Sequence, residues 1–216
     1  MKKQDIIAVV GALTVVALLV IPVTSQAFFG FTDRYALLGG FIKFFVFASI
    51  GDVLSHRIRF RHYRVTGLVY KALVWGFIGV VLVFVFNIYA SGVEALQLSG
   101  LLPMANQTLA FAFFVSLFMN LTFAPTMMLF HRLSDHYIEH RVTDRTHTIK
   151  QTIRDVDYHG FVRFVVLKTL PFFWIPAHTI TFSLPETYRV FFASLLGVAL
   201  GLLLGIAKTM PRKEDV

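Results

Sequence analysis

Six apolar stretches constrain the fold of this 216-residue chain more than any other feature of its sequence. An α-helix needs about 20 mostly apolar residues to cross the hydrocarbon core of a bilayer. Stretches of roughly that length occupy residues 6–23, 35–54, 66–89, 107–130, 161–182 and 188–207. The sequence therefore predicts an all-α, polytopic membrane helix bundle with about six transmembrane helices, in one domain over residues 1–216.

The overall composition agrees with a membrane protein. Hydrophobic residues make up 56% of the chain, charged residues make up 15%, and the mean hydropathy is +0.71. A soluble domain has about 45–50% apolar and about 25% charged residues. The chain has no cysteine, which excludes disulfides, thiol catalysis, cysteine-based zinc sites and iron–sulfur clusters.

The 20 Lys and Arg residues indicate how the helices are oriented. Fourteen of them precede the first stretch, follow the sixth, or lie between the second and third or between the fourth and fifth. Only Arg34 and Arg189 lie in connections on the other side. Because cytoplasmic loops carry the excess of Lys and Arg, both termini are predicted to be cytoplasmic, as is a basic loop over residues 131–159.

The net charge of +8 also has a membrane interpretation. Basic loops beside a bilayer contact anionic lipid headgroups, so we expect the lipid bilayer as a partner and no nucleic acid. The chain is therefore predicted to be a multi-pass membrane protein.

The first stretch has a second interpretation. Lys2 and Lys3, an apolar run and the small residues that end at Ala27 are also typical of a cleavable signal peptide. The run is long for a signal peptide, so a retained span is favoured over removal of residues 1–27.

Polar residues within the apolar stretches are the candidates for a functional site. Such groups are costly in hydrocarbon and usually face a cavity or a partner, unless a long side chain snorkels to the interface. Snorkelling is favoured for Lys71 and Arg163. Asp52 is too short to snorkel, so we expect it to pair with one of these two cations or to cap a backbone turn. The candidate pore or intramembrane polar residues are Lys43, Asp52, Asn120, Lys168 and His178.

Small residues recur at every fourth position of the last stretch. Small side chains at this spacing line one helix face and allow another backbone to approach closely. The stripe is predicted to pack within the bundle or, alternatively, between copies in a homo-oligomer. Its members are Ala193, Gly197, Gly201 and Gly205.

No motif in the sequence indicates catalysis. Residues 136–140 match the His-x-x-Glu-His pattern of some zinc peptidases, but this segment is rich in His, Arg and Asp, and no third ligand is evident. A solvated amphipathic loop is the favoured interpretation. No nucleophile–base pair is evident either, so we expect no enzyme, no metal and no cofactor.

Three fragments of the sequence together resemble the family of Mpv-seventeen and the twenty-two-kilodalton peroxisomal membrane protein. The first is Gly51-Asp52 with His56 four residues later. The second is Asn120 five residues before Pro125. The third keeps the spacing of the family's C-terminal signature, and it comprises Trp174, Pro176, His178, Thr181, Phe182, Pro185, Tyr188 and Arg189.

The chain also departs from that family's pattern. Histidine replaces both family glutamines, at His56 and His178, and Thr181 replaces an asparagine. Ile175 separates Trp174 from the proline that normally follows it directly. The resemblance covers residues 50–197 and implies a divergent, bacterial member that acts as a channel or as a modulator of solute balance.

Together these features lead us to expect a channel or transporter for a small solute or an ion. A non-transporting membrane scaffold or assembly factor is a second possibility, since the small-residue stripe and the basic loops suit both roles. The third is the substrate-binding membrane subunit of a vitamin importer, a class with a similar number of helices.

Overall fold

The computed structural model of the chain describes residues 10–11, 14, 17 and 19–207, the last four of them in backbone only. Half of the predicted first span, 6–23, lies outside these residues, and so do the surroundings of Gly205. The described residues are helical throughout, apart from short connections. The helices are α1 (Pro22–Arg34), α2 (Ala36–Phe60), α3 (Leu68–Leu98), α4 (Thr108–Thr122), α5 (Ala124–Thr143), α6 (Ile149–Asp155), α7 (Tyr158–Ser183) and α8 (Glu186–Ala207).

Several of these helices are long and apolar enough to cross a membrane. Among the described residues they are α2, α3, α7 and the part of α8 up to Leu203, and the bent pair α4–α5 makes a fifth if it is counted as one span. The all-α class and these membrane spans are as the sequence predicts. Residues 24–34 were expected to be a connection but are helical in α1, which at 13 residues is too short to span a bilayer alone.

The α4–α5 pair corresponds to the predicted fourth span. The two helices meet at an angle of 50°, next to Pro125 in the first turn of α5. Proline is tolerated there because the first-turn N–H groups have no intrahelical partner. Beyond the predicted span, α5 continues to Thr143 and α6 follows, so most of the predicted loop 131–159 is helical.

Side-chain caps mark the starts of both α6 and α7. Thr148 accepts a hydrogen bond from the N–H of Gln151, and the Gln151 side chain accepts one from the N–H of Thr148 (2.7 Å). This reciprocal capping box satisfies two orphan donors at the start of α6. Asp157 caps α7 in turn, since its Oδ1 accepts from the N–H of Gly160 (2.8 Å).

Most of α7 is wound more widely than an α-helix. Residues Phe161–Trp174 are π-helical, and the N–H of Ile175 reaches the carbonyl of Leu170, five residues back. Pro171 lies inside this stretch and has no N–H to donate. Long π-helical segments are rare, and short ones are frequent at functional sites. Among the described helices, α7 is the one with this wider winding.

Glycine allows α2 to approach two neighbouring helices closely. A Cβ on Gly40 would lie 2.7 Å from the carbonyl oxygen of Gly79 on α3. A Cβ on Gly51 would lie 3.0 Å from the Cα of Val198 on α8. The backbones of α2, α3 and α8 are therefore in near-direct contact, which leaves the open space of the bundle on the side of α5 and α7.

Candidate functional site

The helices define two ends of the bundle. The basic end carries the connections 61–67 and 144–157, and the opposite end carries the connections 99–107 and 184–185. Contacts across the bundle agree with this division. Lys71, at the start of α3, touches Glu139, near the end of α5. Thr187, at the start of α8, donates to Asp33, near the end of α1.

A central cavity of about 630 Å³ lies among α2, α3, α5, α7 and α8. Its wall combines aromatic rings with ionisable side chains, and it extends from charged residues at the basic end to histidine in the middle of the bundle. The lining includes Asp52, Trp75, Met127, His131, Phe164, Trp174, His178 and Gly197. The volume falls within the about 300–1,000 Å³ that small-molecule sites occupy.

A second cavity, of about 600 Å³, adjoins the first at the basic end. Both cavities are lined by Asp52, Arg59, Asp135 and Glu139. Because they share these four side chains, the two cavities are adjacent, and together they are called the recess of the basic end.

Charged side chains in this recess form ion pairs. Lys71 is 5% exposed, and its Nζ lies 2.6 Å from Glu139 Oε1 and 3.7 Å from Asp135 Oδ2. His131 Nε2 lies 3.7 Å from Asp135 Oδ1. The sequence led us to expect that Lys71 snorkels to the interface. Instead, its ammonium group is held between two carboxylates. The missed signal is the i, i+4 spacing of Asp135 and Glu139, which places both carboxylates on one face of α5.

Asp52 takes a different partner from the two cations that we expected. Its Oδ2 accepts a hydrogen bond from the indole Nε1 of Trp75 (3.2 Å), while Lys71 pairs with Glu139 and Asp135. The expected partner Arg163 is exposed on α7. The hydrogen bond from Trp75 fixes the Asp52 carboxylate on the wall shared by the two cavities.

A buried polar cluster closes the inner end of the central cavity. Asn120 is fully buried, and its Nδ2 lies 3.0 Å from His178 Nδ1 and 2.8 Å from the carbonyl of Ser116. The Ser116 hydroxyl donates to the carbonyl of Ile175 (2.7 Å). Trp174 stacks on His178 with 5.2 Å between ring centroids. Two residues that the sequence singled out, Asn120 and His178, are thus in contact although 58 positions separate them.

A smaller pocket, of about 260 Å³, opens at the opposite end. Its walls come from α1, α2, α3 and α8, and its lining includes Asp33, Lys43, Phe86, Asn87, Glu186, Thr187 and Arg189. Lys43 is 3% exposed. Its Nζ lies 5.8 Å from the ring centroid of Phe28 and 5.7 Å from that of Phe29, at cation–π distance.

An aromatic layer separates this pocket from the central cavity. Phe86 lines the pocket, and its ring centroid lies 6.1 Å from that of His178, which lines the central cavity. Phe182 packs against Phe86 at 4.9 Å and is 1% exposed. At this point of the bundle, the two spaces are therefore separated by the rings of Phe86 and His178, with Phe182 packed beside them.

The family-motif residues gather mainly along α7 and the start of α8. The Arg189 guanidinium lies 5.7 Å from the Phe182 ring, and its Nε donates to the carbonyl of Leu184 (3.0 Å), next to Pro185. Tyr188 packs against Phe29 at 4.9 Å. Pro176 lies in the first turn of Ile175–Ser183.

The motif residue His56 lies at the basic end, away from this group. It lines the second cavity, and its ring lies 4.8 Å from that of His62.

The small-residue stripe divides between two roles. Gly201 packs within the chain, since a Cβ on it would lie 3.4 Å from the carbonyl oxygen of Gly51. A Cβ on Gly197 would meet nothing within 4 Å, and Gly197 lines the central cavity instead. Ala193 is buried and lines the same cavity. Among the described glycines, the closest approaches to the backbone of another helix are those of Gly40 and Gly79, which the sequence pattern did not single out.

Two further features raised by the sequence are Lys168 and the segment of residues 136–140. Lys168 is exposed on α7 and lines none of the three spaces among the described residues. The rings of His136 and His140 lie 4.3 Å apart, but the described part of the chain contains no group of three or more His, Cys, Asp or Glu that could hold a metal ion.

The long apolar helices and the polar recesses inside them are the architecture of a multi-pass membrane protein. No family model, no curated protein and no solved structure matches this chain. The resemblance to the Mpv-seventeen family therefore stays a prediction from sequence, and the site is interpreted from its geometry alone.

Proposed function

We propose that this chain forms a path by which a small solute or an ion crosses a membrane, and that the aromatic layer of Phe86, His178 and Phe182 is the gate of that path. One observation carries the proposal. A recess from the basic end and a pocket from the opposite end approach each other within the bundle, where the ring of Phe86 on the pocket wall meets the ring of His178 on the cavity wall.

The chemistry of the recess also suits transport. Its wall combines carboxylates, cations and aromatic rings, and intramembrane ionisable groups usually mark substrate or ion pathways. The ion pairs of Lys71 reduce the net field, so no one charge holds a passing solute tightly. Conduction requires that binding be weak enough for release.

We further propose that the basic end faces the cytoplasm, in a bacterial inner membrane, and touches anionic headgroups there. The excess of Lys and Arg at that end supports this orientation. Membership of the Mpv-seventeen family is also a proposal, and channel activity is what that resemblance would imply.

Flux through the purified protein tests the proposed path. The protein would be reconstituted into liposomes, and release of a panel of small solutes and ions would be followed. Phe86→Leu removes part of the gate and should raise the flux severalfold. Phe84→Leu is the matched control, because Phe84 is 54% exposed on the same helix and its loss should leave flux unchanged.

The other outcomes separate the rival functions. Protein that folds but shows no flux, with wild type and Phe86→Leu alike, would overturn the proposal and favour a scaffold. Tight binding of one solute without flux would overturn it in favour of an importer subunit that delivers its solute through a partner.

Cysteine labelling tests the orientation. The chain has no native cysteine, so a single introduced thiol reports its own side of the membrane. Thr146→Cys, at the basic end, should react only from the cytoplasm, and Leu98→Cys, at the opposite end, only from outside. The reverse pattern in intact cells would overturn the assigned orientation.

A further inference from the structure

We infer that the pocket at the opposite end is a binding site for a small monovalent anion, such as a halide or a short monocarboxylate, with the Lys43 ammonium as its main ligand. The inference deepens the proposed function, because this pocket is the outer half of the proposed path. A path for solutes does not by itself require an anion site, so the inference adds a ligand class to this pocket.

The first observation is that Lys43 is buried without a counter-ion. Lys43 is 3% exposed. Among the described residues it has no salt bridge and no hydrogen-bond acceptor, and its contacts are the faces of Phe28 and Phe29. Ring faces favour a cation over a neutral amine but do not cancel its charge. A buried, unpaired charge is costly, so an anion that reaches it gains a strong interaction.

The second observation is that Lys43 can be reached. Its side chain lines the pocket of about 260 Å³, which has space for a small anion and several waters. Arg189 lines the same pocket and is half-buried. The Arg189 guanidinium lies over the ring of Phe182, 5.7 Å away, so it adds a second positive charge beside the aromatic layer.

The acidic residues of the pocket lie at its mouth. Asp33 and Glu186 are both exposed, and Asp33 accepts a hydrogen bond from Thr187 Oγ1 (3.2 Å). Water screens exposed charges much more than buried ones, so these carboxylates weaken the attraction of an anion to Lys43 without replacing it. Lys43 and Arg189 face Asp33 and Glu186 in this pocket, so the charges nearly balance and a monovalent ligand fits better than a multivalent one.

The basic end lacks such a site. There the buried lysine, Lys71, already has Glu139 at 2.6 Å and Asp135 at 3.7 Å. An external anion would have to displace a carboxylate that belongs to the protein. Of the two buried lysines, Lys43 is therefore the one that has no carboxylate in direct contact among the described residues.

Ligand-dependent thermal stability of the detergent-solubilised protein tests the site without any assay of transport. Melting temperature would be followed as sodium chloride and, separately, sodium acetate are titrated. A ligand at about ten times its Kd should raise the Tm of the wild type by about 3–6 °C. Chloride and acetate together distinguish a halide from a carboxylate preference.

Two lysine variants make the test specific. Lys43→Met keeps the length of the side chain and should abolish the anion-dependent rise. Lys168→Met, an exposed lysine on α7, should retain it in full, because general salt effects act on both variants alike. If Lys43→Met keeps the rise, or the wild type shows none, the anion site is wrong.

A third variant tests the role of the mouth. Asp33→Asn keeps the oxygen that accepts from Thr187 and removes one negative charge, so it should tighten anion binding by about two- to fivefold. Weaker or unchanged binding would contradict the assigned electrostatics. Absence of flux in liposomes would refute the proposed path while leaving this result intact, so failures of the two proposals are distinguishable.

Discussion

The α2–α3 contact and the α5–α7 side of the bundle use the same apolar helices in opposite ways. Gly40 and Gly79 bring the backbones of α2 and α3 together so closely that a Cβ on Gly40 would lie 2.6 Å from a methyl of Val83. On the other side, α5 and the π-helical part of α7 border the central cavity of about 630 Å³.

The difference shows where backbone irregularity is placed in this bundle. The π-helical stretch of α7 borders the cavity, and the proline-associated break before α5 lies within one turn of Met127, which lines it. Irregular backbone inside a membrane protein is tolerated where it lines a cavity or is buried in protein. The regular helices α2 and α3 instead form a sealed contact. Substitutions in the sealed half should therefore act on stability, and substitutions in the cavity half on flux.

The largest effect on stability is expected for Gly79→Ala. The new Cβ would overlap the backbone of Gly40, and overpacking of this kind costs about 3 kcal/mol, at the upper end of the usual range. Gly92→Ala is the matched control on α3, because nothing lies within 4 Å of a Cβ there. It should gain about 0.5–1 kcal/mol of helix stability. Equal melting temperatures for the two variants in detergent would contradict the sealed contact.

A smaller effect is expected for Asn120→Leu, at the boundary between the two halves. This change removes the partner of His178 and leaves buried polar groups unpaired, at a cost of about 2 kcal/mol. Asn87→Leu removes an exposed amide that bonds only to the carbonyl one turn back (2.8 Å) and should change little. Chemical denaturation in mixed micelles compares the two. A neutral Asn120→Leu would mean that the cluster contributes nothing to stability.

The ion pairs of the recess should contribute less. Lys71→Met leaves Asp135 and Glu139 uncompensated, but Glu139 is 52% exposed. The cost should therefore be about 1 kcal/mol, below the roughly 3–5 kcal/mol of a fully buried pair. A double-mutant cycle with Glu139→Gln should recover part of it. Additive losses would show that the two side chains do not interact.

The smallest effect on stability, within about 0.5 kcal/mol, is expected for Gly197→Leu. A Cβ there meets nothing within 4 Å and the side chain would point into the central cavity, so flux should fall about tenfold or more as the larger side chain fills the path. Gly92→Leu faces open space on α3 and should leave flux unchanged. Destabilisation by Gly197→Leu with normal flux would mean that this glycine packs against a neighbour.

Some of the site could be predicted from particular residues. Asn120 and His178 stood out because polar side chains are costly within apolar stretches, and the structure places them in contact. Lys43 stood out for the same reason, but its isolation could not be predicted, because the positions of Phe28 and Asp33 relative to it depend on how α1 packs. Lys168 has a similar setting in the sequence and is exposed.

Packing contacts were harder to predict. The four-residue spacing on α8 indicated close approach, yet a Cβ on Gly197 would meet nothing within 4 Å, whereas a Cβ on Gly201 would contact Gly51 and Ser55 of α2. Gly40 and Gly79 make tighter contacts without any such repeat. Spacing shows which residues share a helix face, whereas the identity of the helix opposite that face depends on the whole bundle.

The sequence by itself determined the all-α class, the apolar spans and the uneven distribution of basic residues, because each follows from local composition and the thickness of a bilayer. Tertiary structure alone decided that Lys71 forms ion pairs while Lys43 does not. It also decided that the recess at the basic end and the pocket at the opposite end meet at the rings of Phe86 and His178. Those features depend on which side chains meet from helices far apart in sequence, and no local pattern encodes that meeting.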